Sequence, residues 1–408
     1  MRNSSSPDLD ALATEIDKRL GPGFRVIERV KACNISSVHE SIIKSDISDM
    51  DLAPSAGYGY SDWGREKVEE VFASVFGGAD SLVRPQISTG TQAIYLSLMG
   101  TLISGKVGKG RGVLILTGEP YPTLQLTFNF LRELKVNIYE ADINTTPLEE
   151  ILFRYDSLGL MFIQRSKGYS LRRSLGISRI EGIIKSIRQK YGDDTLVLID
   201  NCYAEFVAEK EPGHVGADLV VGSLLKNPGG GMVSTGGYIV GKKELIQEIA
   251  GFLYGIGVGK EVGPIHNKKE ILLGLYLAPL IVSESLKGVL FGSHLFHELG
   301  FRVIPEQDEE LADTVLTVVL ESKEMVLRAL KEVQSMGPLN PKAIPAGSLL
   351  PGYSQEVAMA GGTFTPGSSI ELSADALLAP PWAFYLQGGF YYELIRETCL
   401  RIARSLLA

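Results

Sequence analysis

The chain reads as an α/β protein with a mostly parallel sheet and helices on both faces, followed by a smaller α+β unit. Three observations give that class. At 408 residues and 45% apolar composition, the chain can bury one large core and a second, smaller one. From about residue 81 to 241, short apolar runs alternate with longer segments of helical periodicity, as crossover-connected parallel strands require. Beyond about residue 275 the pattern changes to long helical segments with short strand candidates between them. The division that follows is an N-terminal helix and arm at 1–55, a large ligand-binding domain at 56–275 and a small α+β domain at 276–408.

The elements follow in order. SPDLDALATEIDKRLG opens on a Ser-Pro-Asp start signal, spaces its apolar residues helically and stops at glycine, so it is predicted helical. From about Lys31 to Gly59 the pattern is irregular, and residues 65–76 are helical again, ending at Gly77-Gly78. Strand and helix then alternate: SLVRPQI with TGTQAIYLSLMGTLI, GVLILTG with TLQLTFNFLREL, LGLMFIQ with ISRIEGIIKSIRQKYG, then the strands TLVLIDN, DLVVGSLL and GGYIVG. In the last third, SESLKGVLFGSHLFHELG and SKEMVLRALKEVQS are helices, FRVIP and VLTVVL strand candidates. Trp382 and the pair Tyr391-Tyr392 are expected in the core of the small domain.

A formal charge of −8 lacks the basic footprint that nucleic-acid binding needs. Cys33, Cys202 and Cys399 are too few and too far apart for a disulfide framework or a C-x-x-C site, which points to a reducing cytoplasm. MRNSSSPDLDALATEIDKRL carries acids where a signal peptide needs an apolar run. The longest apolar candidate, ILLGLYLAPLIV, is interrupted by Gly274 and Pro279, short of the ~18 residues of a membrane span. His214, His266, His294 and His297 have no metal-ligand spacing, so no metal, membrane or nucleic acid is expected.

The chemistry gathers where the strands end. SLVRPQI leads into Ser88-Thr89-Gly90-Thr91-Gln92, GVLILTG into Glu119-Pro120-Tyr121, and LGLMFIQ into Arg165 and the loop to Tyr169. TLVLI leads into Asp200-Asn201, and DLVVG into Ser223-Leu224-Leu225-Lys226. In a parallel sheet these five ends converge on one crevice. A hydroxyl- and glycine-bearing turn that opens a helix offers free N–H groups and a positive dipole end to a phosphate. Alone, that turn is also what any N-cap with a glycine looks like, and Ser88 and Gln92 suit a simple helix start. Together with Asp200 for a ring nitrogen, Tyr121 to stack on a ring and Lys226 to form a Schiff base, it meets the requirements of pyridoxal 5′-phosphate. The glycine-rich strings that NAD and ATP would need are absent. Arg165, Arg172 and Arg173 could clamp a substrate carboxylate, Arg165 being favoured because it directly follows a strand.

As a set, GYGYSDWGREKVEEVFASVFGG, VRPQISTGTQAI, TGEPYPTL, FIQRSKGYSLRRSL, LVLIDNCYAEF, GSLLKNPGGGMVSTGGYIVG and FTPGSSIELSADALLAPPWAFYLQGG resemble the fold type I pyridoxal-phosphate enzymes. Within them, the chain is similar to the methionine gamma-lyase-like proteins often labelled aluminium resistance proteins. The resemblance implies a seven-stranded-type sheet, Lys226 as the cofactor-bonding lysine, Asp200 as partner of the pyridine nitrogen and Tyr121 as the stacked ring. It also implies Gly90 and Thr91 N–H groups and the Ser223 hydroxyl on the phosphate, and glycines 229–231 allowing backbone close to the site. The chain departs from the cystathionine and methionine lyases in having Leu225 where they carry a hydroxyl residue. Their Tyr-x-Arg string from a neighbouring subunit is replaced by Tyr58-Gly59-Tyr60 with Arg65 further on, and Pro366 stands in TFTPGSS where another residue is expected.

What the resemblance implies is a homo-oligomer, a dimer or dimer of dimers with shared sites, catalysing γ-elimination on an amino acid. Tyr58 and Arg65 would cross to the neighbour's cofactor. The alternatives are an aminotransferase on the same fold and a non-catalytic protein that kept the pocket.

Overall fold

The computed structural model describes residues 8–108, 110–255 and 257–408; the Ser6-Pro7 start signal lies outside them. Helix α1 (Leu9–Arg19) is capped by the Asp8 carboxylate, which accepts the N–H groups of Asp10 and Ala11. Helix α2 (Gly21–Lys44) corrects the sequence reading, because residues 31–44 are helical rather than irregular. Gly21-Pro22-Gly23 looks like a stop, yet Pro22 sits in the first turn, where no N–H is needed. The buried face of α2, Ile27, Asn34, Val38 and Ser41, is half polar, so its apolar period is faint. Helix α3 (Trp63–Phe76) starts at Asp62, whose carboxylate accepts the Arg65 N–H, and ends at Gly77 in the left-handed conformation.

The large sheet is built from β1 (Asp80–Arg84), β2 (Gly112–Ile115), β3 (Ile138–Glu140), β4 (Leu158–Gln164), β5 (Leu196–Asp200), β6 (Leu219–Ser223) and β7 (Gly237–Gly241). Between them run α4 (Gly90–Ile103), α5 (Pro122–Glu133), α6 (Leu148–Phe153) and α7 (Ile177–Tyr191). The strand order is β1-β7-β6-β5-β4-β2-β3. Strands β3, β2, β4, β5 and β6 pair parallel, while β7 is antiparallel to both β6 and β1. Two reversals make β1 run the same way as the parallel five. The ends of β1, β2, β4, β5 and β6 therefore open on one edge. β4, β5 and β6 are buried along their whole length, since helices cover both faces, and this makes their sequences continuous apolar runs.

After α8 (Lys243–Leu253), helix α9 (Lys268–Glu298) runs unbroken through Gly274 and Pro279. It is long and apolar enough to cross a membrane by length and composition, but 61% of its most apolar window is buried within the protein. The division expected after residue 275 falls inside this helix. The second sheet comprises β8 (Arg302–Ile304), β9 (Val315–Val319), β10 (Ser348–Leu349), β11 (Glu356–Ala360), β12 (Ser373–Leu377) and β13 (Ala383–Gln387). It is antiparallel throughout, in the order β10-β11-β12-β13-β9-β8. Helices α10 (Lys323–Met336) and α11 (Tyr392–Leu407) pack on it, together with α1 and α9, around a separate apolar core. Trp382 and Tyr392 lie against that core, whereas Tyr391, also expected there, is 64% exposed ahead of α11.

Candidate active site

At the shared strand edge, Gly90, Thr91, Tyr121, Asp200, Ser223 and Lys226 line one cavity of ≈ 280 Å³. The turn after β1 opens α4 with Thr89 as N-cap, its hydroxyl accepting the Gln92 N–H at 3.0 Å. Gly90 leaves room there, since a Cβ would lie a tight 3.0 Å from the Cys202 Sγ. Ser88 and Gln92 turn away from the cavity: the Gln92 Oε1 accepts from the Ser88 N–H and hydroxyl at 2.8 and 2.9 Å, so this pair closes the exposed start of the helix. Thr91 shares a 2.7 Å hydroxyl contact with Thr123.

Lys226 follows β6 by three residues. Its Nζ stands 3.7 Å from the centroid of the Tyr203 ring and, among the described residues, has no hydrogen-bond or ion-pair partner. Burial works against its charge, but Tyr203, Cys202, Asp200 and Glu205 outweigh it and raise the pKa above the usual lysine value. Tyr203 carries a positive φ of 68°, a strained setting for an aromatic residue. Its buried hydroxyl has no partner at hydrogen-bonding geometry, Ser368 being close by but not bonded. Burial pushes that phenol up to about 12, with Lys226 acting the other way.

Asp200, buried at the end of β5, accepts from the Gln164 Nε2 at 3.2 Å and from the Cys202 N–H at 3.2 Å. The other end of the same amide, Gln164 Oε1, accepts the Tyr121 N–H at 3.0 Å. One side chain therefore fixes both the acid and the backbone of the aromatic residue. The Tyr121 ring stacks on Tyr169 at 5.4 Å, and its hydroxyl meets that of Tyr353 at 2.6 Å. Burial, with Tyr353 adding, keeps the Tyr121 phenol protonated well above its ordinary range.

Arg165 does not reach the cavity. Its guanidinium is buried behind β4 and β5, donating to Asn201 Oδ1 at 2.6 Å, Ala204 O at 3.1 Å and Leu175 O at 3.3 Å, with Glu211 at 3.8 Å. The expected carboxylate clamp is thus an internal brace. Arg65 is likewise buried, its Nη1 donating to Gly59 O at 2.8 Å and Gly263 O at 3.2 Å. It braces the loop on which Tyr58 stands 71% exposed; neither residue lines this chain's own cavity. The glycines at 229–231 also differ from expectation. A Cβ at Gly230 would meet Gly274 O at 2.3 Å and one at Gly231 the Phe390 ring at 2.3 Å, so they admit α9 and the small domain rather than a ligand.

Several site residues escaped the sequence reading. Gln164 and Tyr203 had a visible signal, as the last residue of one apolar run and the third residue after another. Ser368 lies in the FTPGSS stretch that helps carry the family resemblance but was not singled out, and Tyr353, also of the small domain, had no signal. Cys202 also lines the cavity, its thiol pushed up by burial and by Asp200, against Lys226. Beside the cavity, Lys167 Nζ is buried against Asp313 Oδ1 at 3.0 Å and Val315 O at 2.6 Å, tying the loop after β4 to the start of β9.

The arrangement fits pyridoxal phosphate. A glycine-entered helix start offers N–H groups to a phosphate, an oriented carboxylate lines the same cavity, an unpartnered phenol lies buried, and an unpaired amine stands over that phenol's ring.

Residues 9–407 match the family model described as methionine gamma-lyase. The uncharacterised protein YnbB of Bacillus subtilis (strain 168) is 36% identical over 416 residues, covering 98% of this chain and 96% of its own. The structure of a carbon-sulfur lyase involved in aluminium resistance from Clostridium novyi NT is 33% identical with a TM-score of 0.90, covering 99% of this chain and 96% of that one. A pyridoxal-5′-phosphate-dependent protein of Escherichia coli, YhfS, at 17% identity and a TM-score of 0.60, covers 93% of this chain and 96% of its own and shares the fold alone. The architecture is that of fold type I, as the sequence led us to expect.

Proposed function

The chain belongs to the methionine gamma-lyase family, and on that premise we propose that it is a pyridoxal-phosphate-dependent lyase that removes a γ substituent from an amino acid. The observation that carries this reading is Lys226, an unpaired amine sharing one cavity with the start of α4, Asp200 and Tyr121. When bound, the cofactor supplies an aldehyde carbon that bonds an amine and a ring that takes up the electron pair left at the substrate Cα. Gly90 and Thr91 N–H groups and the Ser223 hydroxyl would hold its phosphate, and Asp200, oriented by Gln164, would keep its ring nitrogen protonated. Tyr121 would flank its ring.

Lys226 Nζ would take the proton from the substrate Cα and, for loss of a γ substituent, would pass that proton on to the cofactor end of the bound substrate, becoming a free amine again, before taking a second from Cβ. Its surroundings favour the ammonium form, which is the form the lysine reaches on accepting a proton. The Tyr121 hydroxyl, kept protonated by burial, is the donor for the leaving heteroatom. A thiolate, a halide or an activated oxygen would leave by the same route.

In this reading the protein is a cytoplasmic dimer or dimer of dimers, with Tyr58 reaching a neighbour's cavity from the loop that Arg65 braces. Support comes from Tyr58, Tyr60 and Trp63, which are 71, 66 and 71% exposed on one short segment, more aromatic surface than an isolated loop needs. To test the function, the protein is supplied with pyridoxal phosphate and reduced with borohydride, and the adduct is mapped. The reading requires the adduct on Lys226, and ammonia from a γ-substituted amino acid without any keto-acid acceptor. Strict dependence on an acceptor would make the protein an aminotransferase, and no adduct on Lys226 would overturn both.

A further inference from the structure

A second cavity, of ≈ 220 Å³, adjoins the first; Tyr121, Gln164, Ser166, Gly168 and Tyr353 line both. Neither volume alone reaches the ~300 Å³ at which ligand sites commonly begin, so cofactor and substrate together need the two. A substrate whose amine meets Lys226 in the inner cavity leaves the rest of its length to the outer one.

Among the described residues, Arg172 is the one arginine that lines either cavity. It is held in place by backbone carbonyls: Nη1 donates to Arg173 O at 3.2 Å, Nη2 to Gln164 O at 2.9 Å and to Ser166 O. Three of the five guanidinium N–H groups are so used, and two remain. Carbonyls fix the group without neutralising it. Burial lowers its pKa to about 10, with Asp313, Asp142 and Asp200 acting the other way, so it is cationic at neutral pH. The other cation at the outer cavity, Lys167, is already neutralised by Asp313. The acid there, Glu119, accepts from Gln125 at 2.6 Å and forms no ion pair with Arg172. Arg173, next in sequence, is spent at the surface on Glu309 and Glu306.

We propose that Arg172 is the carboxylate-recognising residue of this site and that the outer cavity takes a carboxylate-bearing part of the substrate. The inference rests on the lyase reading, and its test separates the two. Arg172→Gln and Arg172→Lys are compared with the parent, all loaded with cofactor, by titration calorimetry. The probes carry no leaving group: L-norleucine, n-pentylamine, which is the same molecule without its carboxylate, and L-2-aminoadipate, which adds a distal one. Loss of hydrogen bonds to a charged group should weaken the carboxylate-bearing probe about ten- to a hundred-fold in Arg172→Gln.

If norleucine weakens and pentylamine does not, Arg172 holds the α-carboxylate. If only the advantage of aminoadipate over norleucine disappears, it holds a distal one. Either result supports the subsite, and Arg172→Lys, which keeps the charge, should retain part of the selectivity. Equal losses for all three probes, as a distorted fold would give, or no loss for either acid, overturn the proposal. Borohydride fixation on Lys226 is read on the same samples. Its absence from the parent fells the lyase reading and this one together, whereas its presence with equal losses overturns Arg172 alone.

Discussion

Glu205 lies on the far side of Tyr203 from Asp200 in sequence and is fully buried. Its Oε1 is 3.0 Å from the Tyr238 hydroxyl and its Oε2 has no partner. Burial, with Glu211 adding and Tyr238 and Lys226 opposing, pushes its carboxyl from an ordinary 4.5 up to about 8. Between those two values the native protein holds a proton that the unfolded chain has released, so raising the pH favours unfolding. The contribution of this group is fully present below the unfolded value and is lost as pH rises through about 8. In mid-window the slope is about 1.4 kcal/mol per pH unit, which integrates to about 3.5 kcal/mol between about pH 5 and about pH 8.

Glu205→Gln keeps the shape and removes the titration. The stability difference between parent and variant, measured by urea unfolding at constant slope, should therefore change by that amount across the window, in the variant's favour as pH rises. Difference infrared spectroscopy near neutral pH should show a protonated-carboxyl stretch in the parent that the variant lacks. Parallel stability profiles, or an unchanged infrared band, would refute the assignment.

Gln164→Leu removes the one side chain that joins Asp200 to the Tyr121 backbone, and the affinity for pyridoxal phosphate should fall about ten-fold; an unchanged dissociation constant would show that Asp200 needs no such guide. Asp313→Asn strands a buried Lys167 and should cost about 3–5 kcal/mol in denaturant unfolding, so a loss below about 1 kcal/mol would contradict the pairing. Mixing inactive Lys226→Ala with inactive Tyr58→Ala subunits should return up to half the activity of each mixed dimer if sites are shared. If exchange is demonstrated and no activity returns, each subunit builds its own site.

The parts legible in the sequence were those where a local pattern has a tertiary meaning. Strands β4, β5 and β6 lie between two helix layers, so their burial on both faces wrote itself as unbroken apolar runs. Lys226, Asp200, Tyr121 and Gly90 were found because each follows such a run. Arg165 misled for the same local reason. Successive strand residues point to opposite faces, so Gln164, the last residue of β4, faces the cavity and Arg165, one step on, faces Asn201 and Glu211. Helix α2 was half missed because Asn34 is buried for its hydrogen bonds to Phe206 O and Ala208 O rather than for its apolarity. Tyr353 meets Tyr121 across 232 residues of sequence, and no local pattern records a contact of that span.

The glycines after Lys226 show how the lysine's position is set from a distance. A Cβ on Gly274 would lie 2.2 Å from Gly229 O, and one on Gly230 2.3 Å from Gly274 O, so the lysine turn and α9 touch backbone to backbone. Gly274, which in sequence looks like a break in an apolar stretch, is what lets α9 continue past the site at that distance. On its other side the turn is held by Asn227, whose Nδ2 donates to Glu205 O at 2.9 Å and whose Oδ1 faces the Thr314 hydroxyl at 3.4 Å. The amine itself is unbonded, but the backbone that carries it is clamped by the helix that leads into the small domain and by the segment just before β9. The lysine turn is thus tied to the small domain through α9 and Thr314, whereas Asp200 is held within the large domain by its place on β5 and by Gln164.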